Sequence, residues 1–460
     1  MKTDNKTAVH IISHTHWDRE WYLNSPYVNE WLPPFFDSLF EMMEREPDYR
    51  FVLDGQMSIV DDWCDELEKL GRDSATMLAR LEDYARAGRA VLGPYYLQPD
   101  WQLAGAETLV RNLLIGGRMA AKMGGGSRTG WLLDNFGQIA QAPQIHSQFD
   151  MHGLVAWRGI ELDPHNLNSE FNWCGADGTT LLCSYLLSSY RNAMRLAEHP
   201  AIFNDRVRNE AEKILPFATT PNVLLMNGYD QEMVPDDILP HIRNGKADTD
   251  RLTVLQSTPD EYMQVLRQSV GTLQELSGPL YSGRYISVFP GILSSRIYLK
   301  QRNELCNRLL AAYAEPLCAM AAAQGQPYPA NALYACWKLH LRNQPHDSIC
   351  GVGIDDVHTD MEHRFDRLEA DIGDIIQTAA AGAKATCTVI NTLPYARHGL
   401  VRLPSGYGGA LAPDGTPLPV QPIDDGLLAE VALPGSSALT LGLVAAAQPA
   451  AAPNADELLA

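Results

Sequence analysis

Positive charge is in short supply in this chain. Its 36 lysines and arginines face 56 aspartates and glutamates, a net charge of −20. That balance excludes the basic surface that nucleic acid or an anionic membrane requires of a partner. Cysteine is sparse too: eight in 460 residues, none in a CxxC pair, so no cysteine zinc cluster is expected. Scattered thiols of this kind suit a reducing compartment. Long apolar runs are missing, so no segment is expected to span a bilayer. Residues Met1 to Lys6 show no apolar leader and run straight into a first strand, which makes the cytoplasm the expected location. None of these shortages argues against a neutral small-molecule substrate. The length exceeds what one ordinary core organises and implies two or three domains.

What is there begins with His14-Thr15-His16-Trp17-Asp18-Arg19-Glu20-Trp21, directly after the apolar run Ala8 to Ile12. At strand spacing, residues i, i+2 and i+4 face one side, so His14, His16 and Asp18 are expected to converge just beyond the strand. Two imidazoles and a carboxylate suit Zn²⁺ or a similar divalent ion. Trp21 then stands where a sugar ring could rest on its face. The ordinary alternatives are a chance HxH among 13 histidines, Asp18 as a helix cap, and Trp17 and Trp21 as core.

From residue 8 to about 270, apolar runs at 8–13, 50–54, 90–93, 130–133, 153–157, 222–227 and 252–256 alternate with amphipathic stretches at 35–46, 74–87, 106–123, 202–215 and 259–270. Residues 171–187 read as a hairpin. This order implies an α/β fold with a mainly parallel sheet, either a barrel or a doubly wound sheet. Polar residues follow the runs: Asp54, Asp100, Asp134, Arg158 and Asp230. Carboxyl ends of parallel strands are where such folds place chemistry. Residues 296–385 turn helical, with long amphipathic stretches at 296–323, 331–343 and 359–380. Asn343 to Gly351 interrupts them and carries His346-Asp347, whose bland reading is a helix start capped by Asp347. Beyond 388, alternating segments spaced by Gly and Pro read as β structure, ending in a loose Ala/Pro-rich tail, 445–460.

HTHWDREW, GWLLDNFGQ, MNGYDQ and QPHDSICG occur in that order, with further stretches at Val52 to Gln56, Gly93 to Tyr96 and Trp157 to Gly159. Together they resemble glycoside hydrolase family 38, the metal-dependent retaining α-mannosidases, and within it the bacterial branch that includes mannosylglycerate hydrolases. The resemblance covers about residues 8–400. It implies a catalytic (β/α)7 barrel over 1–275, a helical bundle over 276–386, and the start of a β domain with its tail over 387–460. It further implies His16, Asp18, Asp134 and His346 as metal ligands, with His14 outside the ligand set. Asp134 doubles as nucleophile and Asp230 is the acid/base. Trp21 becomes the sugar platform, with Asp100, Arg158 and Asp347 as polar contacts to substrate. The cofactor would be Zn²⁺, or Co²⁺, Mn²⁺ or Ca²⁺, and the partner a carbohydrate with α-linked mannose. A retaining glycosidase needs two carboxyls about 5–5.5 Å apart, one ionised and one protonated. Whether the chain forms a homo-oligomer is left open.

Two departures stand out: Asn135 after Asp134, and Tyr229 before Asp230, where other branches carry an acidic residue. The β region also stops early, so the chain is expected to be truncated, and an impaired or non-catalytic fragment is one alternative. A metal-dependent amidohydrolase or deacetylase is another, because HxH after a first strand occurs there too. Those enzymes use further His or Lys ligands on later strands, where this chain offers Asp134 and Asp230.

Overall fold

The structure, a computed structural model, describes residues 6–161, 168–381 and 387–446; the tail beyond 446 lies outside them. The chain divides into two compact units, Met1–Glu304 with Lys338–Asp366, and Leu305–Trp337 with Arg367–Ala460. These divisions fall elsewhere than residues 275 and 386, because the segment carrying His346 belongs with the first unit.

In the first unit the alternation of strand and helix holds. The strands are β1 (Thr7–Ser13), β2 (Phe51–Val52), β3 (Ala90–Val91), β4 (Thr129–Leu132), β5 (Gly153–Ala156), β6 (Glu170–Cys174), β7 (Thr180–Tyr185), β8 (Asn222–Asn227), β9 (Leu252–Gln256) and β10 (Glu275–Ser277). β1 is buried from Val9 onward and lies parallel between β8 and β9. β2 pairs with β3, and the remaining strands order as β10-β6-β7-β5-β4, with β6 and β7 forming the antiparallel hairpin expected at 171–187. The described strands thus form three ladders rather than one closed one; between β1 and β2 the link is the single parallel bridge His14↔Val52.

Helices cover the strands with one apolar face each. Leu32–Arg45 buries Phe35, Phe36, Leu39, Phe40 and Met43, a helical repeat, and stacks Phe36 on Trp63 at 3.9 Å between ring centroids. Pro259–Ser269 starts at a capping box: Thr258 accepts from Glu261 N–H, and the Glu261 carboxylate accepts in return from Thr258 N–H. Sequence reading passed over the helix Ser58–Lys69, although Ile59, Trp63 and Leu67 recur there at helical spacing.

The second unit has its own core of Leu403, Ala410, Leu427, Ala429, Val431, Leu433 and Leu441, from antiparallel strands between Thr388 and Ala445. Its helical part contains a π-turn, Leu309–Ala314, leading into the helix Glu315–Ala323. Pro316 has no N–H for the Ala312 carbonyl four residues back. The Thr392 hydroxyl donates to that carbonyl instead, at 2.6 Å.

Candidate active site

Strand register assembles one side of the site. β1 and β8 pair in parallel up to Ser13↔Asn227, and the chains continue side by side as the bridge His16↔Asp230. His16 N–H donates to the Tyr229 carbonyl at 3.0 Å, and Gln231 N–H donates to the His16 carbonyl at 2.7 Å. Gly228 makes this approach possible, since a Cβ there would lie 2.1 Å from the His14 carbonyl oxygen. β4 and β5 pair up to Leu132↔Ala156, which brings Asp134 and Arg158 to the same level two residues further on. Arg158 Nε donates to Asp134 Oδ1 at 2.8 Å, and its guanidinium lies 4.3 Å from the centroid of the Trp157 ring.

The other side comes from far along the chain. The break at 343–351 forms a short helix, His346–Cys350, with Asp347 in its first turn rather than as its cap. It ends at Gly351, which takes the left-handed conformation at φ 78°. His346 N–H donates to the Gln98 carbonyl at 3.1 Å, which seats this helix over the loop after β3. His346 Nε2 then lies 3.5 Å from Asp18 Oδ1, 3.6 Å from Asp134 Oδ2 and 3.7 Å from Asp347 Oδ2. His16 Nε2 lies 3.0 Å from Asp18 Oδ1. Ligand atoms of His16, Asp134 and His346, and separately of Asp18, His346 and Asp347, fall within 4.8 Å of one another.

His14 stays out of this group. Its Nε2 lies 2.8 Å from the Tyr190 carbonyl and its Nδ1 3.1 Å from that of Thr15. Burial pushes its pKa down, so the neutral ring gives its one N–H to the backbone. The convergence expected of all three HxHxD residues therefore holds for His16 and Asp18 alone, because the chain past Ser13 no longer runs as a regular strand.

Burial acts against every charge in the cluster, and the neighbours decide each outcome. The His346 ring and the Arg158 guanidinium outweigh burial at Asp134 and hold its carboxyl at about 2. Burial lowers His346, but Asp347, Asp134 and Asp18 raise it to about 9. Asp54 and Asp18 carry His16 well above its ordinary value against the same burial. Asp347 is raised by burial, with Asp18 and Asp134 adding to it. Asp230 moves in the direction opposite to Asp134: burial, then the charges of Asp18 and Asp134, raise it over the opposing His16 and Tyr190. Two carboxyls in one site are thus driven apart, one toward the ionised form and one toward the protonated form.

Two groups, Tyr190 and Glu20, escaped sequence reading of the site, and Asp54 was marked only as a polar residue closing the second apolar run, with no role. Asp54 stands 3.1 Å from His16 Nδ1, so the ring's Nε2 is the nitrogen that faces Asp18. Asp54 also accepts from Trp17 N–H at 2.9 Å and from Gln56 Nε2 at 2.8 Å. Its place at the end of the second apolar run was the available signal. The Tyr190 hydroxyl donates to Asp230 Oδ1 at 2.6 Å; it comes from an irregular segment with no pattern to mark it. Glu20 accepts from Ser348 and Arg364 and is taken up below. Among the expected contacts, Asp100 is fully buried and accepts from the backbone N–H groups of Gln102 and Leu103, both at 2.8 Å. Trp21 is half-buried and stacks on Tyr22 at 3.8 Å. Asn135 donates to the Pro99 carbonyl at 2.6 Å, and the Tyr229 ring carries the Arg191 guanidinium at 5.1 Å.

The donors fit a divalent ion. His16 Nε2, Asp18 Oδ1 and His346 Nε2 are buried and make no hydrogen bond. Buried polar atoms left this way are costly unless something else meets them. The carboxylates of Asp18, Asp134 and Asp347 surround two imidazoles that draw in positive charge, as protons or as a metal. Asp54 behind His16 supplies the outer carboxylate that orients a metal-binding histidine.

The profile of the Glycosyl hydrolases family 38 N-terminal domain matches residues 6–284, and that of the Alpha mannosidase middle domain matches 287–382. A protein of Halalkalibacterium halodurans named "Putative mannosylglycerate hydrolase" is 31% identical over 406 residues, 84% of this chain and 44% of that protein. Alpha-mannosidase 2C1 of Mus musculus is 24% identical over 455 residues, 91% of this chain and 41% of that one. The crystal structure of an alpha-mannosidase from Enterococcus faecalis V583 superposes with a TM-score of 0.82 at 25% identity, covering 97% of this chain and 57% of that one. The chain therefore spans less than half the length of these two sequence relatives. Among the described residues, no helix is long and apolar enough to cross a membrane.

Proposed function

The chain belongs to glycosyl hydrolase family 38, and from that premise we propose that it carries the catalytic site of a metal-dependent, retaining α-mannosidase. The observation that carries the proposal is the convergence of three buried atoms that make no hydrogen bond, His16 Nε2, Asp18 Oδ1 and His346 Nε2, beside the Asp134 carboxylate. Family membership leaves no ground for the amidohydrolase or deacetylase reading. We read the three ladders as arcs of the family's (β/α)7 barrel, whose carboxyl ends hold the site.

His16, Asp18, Asp134 and His346 would hold Zn²⁺ or a similar ion, which when bound supplies a positive charge that fixes the cis 2- and 3-hydroxyls of mannose. Asp134, held ionised, attacks the anomeric carbon as the glycosidic bond breaks. Asp230, whose burial favours the protonated form, gives its proton to the departing oxygen. The Asp230 carboxylate then takes a proton from water, which attacks the same carbon and frees Asp134; the product is mannose of retained configuration. Arg158 keeps Asp134 ionised and aimed, and Tyr190 orients Asp230 through its hydroxyl. Trp21, Asp100 and Asp347 are the proposed sugar contacts. All eight cysteines are free thiols, which supports the cytoplasm as the working compartment.

Hydrolysis of an aryl α-mannoside by this chain, before and after chelation and with Zn²⁺ or Co²⁺ added back, tests the reading. Activity lost and then restored is the expected result. Bound metal without hydrolysis would point to a fragment that needs the rest of the longer relatives. Neither metal nor hydrolysis would overturn the proposal.

A further inference from the structure

Glu20 lies two residues past Asp18 and is fully buried. Four donors converge on its carboxylate. Oε1 accepts from Arg19 Nη1 at 3.1 Å and from Arg364 Nη1, and Oε2 accepts from Arg364 Nη2 at 2.8 Å and from the Ser348 hydroxyl at 2.8 Å. Ser348 sits two residues past His346 in the short helix. Arg364 also donates through Nε to Asn343 Oδ1 at 2.6 Å, at the start of the same break. Arg19 is fixed in turn by Asp62, with Nε 2.6 Å from Oδ2 and Nη2 3.2 Å from Oδ1.

Burying a carboxylate beside two guanidiniums gains little stability over an apolar core, because desolvation offsets the attraction. Such a cluster is better at fixing one arrangement. Here it has something to fix. The loop carrying His16 and Asp18 and the helix carrying His346 are more than three hundred residues apart, and no strand pairing joins them. Glu20 grips both, beside the bond from Ile354 N–H to the Trp21 carbonyl: its backbone belongs to the first, and Ser348, Arg364 and Asn343 bracket the second.

We propose that Glu20 is a positioning residue that clamps the His346 helix to the Asp18 loop and so sets the affinity and geometry of the metal site. The inference rests on the metal reading above and deepens it. Glu20 is not itself a ligand; it acts through Ser348 and Arg364 on where His346 stands. Loss of the clamp would let His346 drift from Asp18 and Asp134 while the strand-borne ligands stay in register.

Glu20→Gln removes the charge and leaves an amide N–H facing arginine. Ser348→Ala removes only the bond to the His346 helix and leaves the arginine pairs whole. Each purified variant would be titrated with Zn²⁺ against a competing chelator, and its Co²⁺ form recorded by visible absorption. Glu20→Gln is expected to weaken metal binding about 10–100-fold, the usual effect of losing an outer partner of a ligand. Ser348→Ala is expected to weaken it several-fold, with the unfolding temperature of the metal-free protein unchanged. Both should alter the intensity of the Co²⁺ bands, a readout that general destabilisation does not move. If Glu20→Gln fails to fold, Ser348→Ala decides. Wild-type affinity and spectrum in Ser348→Ala would overturn the clamp, whereas a wild-type chain that binds no metal would overturn the metal reading instead.

Discussion

His16, Asp134 and Asp230 stand at the ends of parallel strands, whereas His346 and Asp347 stand in a five-residue helix held by side chains. The first group inherits its geometry from backbone ladders: β1 against β8, and β4 against β5. The second is tied by isolated bonds, His346 N–H to the Gln98 carbonyl and, just past the helix, Ile354 N–H to the Trp21 carbonyl, and by the buried pairs around Glu20. Strand register admits few alternatives, because a slip of one residue turns every side chain to the other face. A short helix gripped by ion pairs can shift by fractions of an ångström. The proposed nucleophile and acid/base therefore belong to the rigid side, and the proposed ligand that completes the metal site belongs to the adjustable one.

Asp134 is the residue that both sides share, and its loss should have the largest effect. Asp134→Asn keeps the size of the side chain but removes the proposed nucleophile and a proposed metal ligand together. Turnover is expected to fall on the order of 10⁴-fold or more, as for other nucleophile deletions, and metal affinity is expected to fall with it. Single-turnover rates and chelator titration would measure the two separately. An Asp134→Asn enzyme with full metal affinity would mean that the ligand role lies with Asp347 instead.

Asp230→Asn touches the rigid side alone. Metal affinity should stay at the wild-type value while hydrolysis of an alkyl α-mannoside falls by about 10²–10⁴-fold, the usual worth of a general acid. An aryl mannoside with a good leaving group needs less protonation and should lose much less in the first step. Equal losses for the two substrates would remove Asp230 from the acid role.

The same contrast explains what could be read from the sequence. β1, β5, β8 and β9 lie within a residue of the apolar runs that announced them, because their periodicity is local. Asp134, Arg158 and Asp230 were visible as polar residues just past such runs. His346 and Asp347 were visible only through the family resemblance, since a His-Asp pair in a helix break reads alone as an ordinary helix start. Asp54 was visible in the same way as the residues past the runs, but its role, like those of Glu20 and Tyr190, was hidden for another reason: the roles of Glu20, Asp54 and Tyr190 depend on partners 328, 38 and 40 residues away. Spacing along the chain carries no record of such pairings. How the separate ladders adjoin was illegible too, because β2 and β3 have two residues each and β1 meets β2 through one bridge.

The smallest effect tests the adjustable side without any mutation. His346 is raised from its ordinary 6.5 to about 9 in the metal-free protein, so it is protonated at neutral pH. A metal must displace that proton, and apparent affinity should rise with pH, by up to about tenfold per unit for one proton, and level off above about 9. His16, also raised, adds to the slope in the same direction. Stability of the metal-free chain should move the opposite way. A histidine whose folded pKa exceeds its unfolded value contributes fully below the unfolded pKa and loses that contribution as pH rises through the folded one. The metal-free protein should therefore lose stability between pH 6.5 and about 9, while the stability of the metal-loaded protein, in which His346 carries no proton, should stay level across that window. Calorimetry at neutral pH in buffers of different ionisation enthalpy should show at least one proton released per ion bound. Binding with no proton release would mean that His346 is already neutral, and that the carboxylates around it do not set its charge.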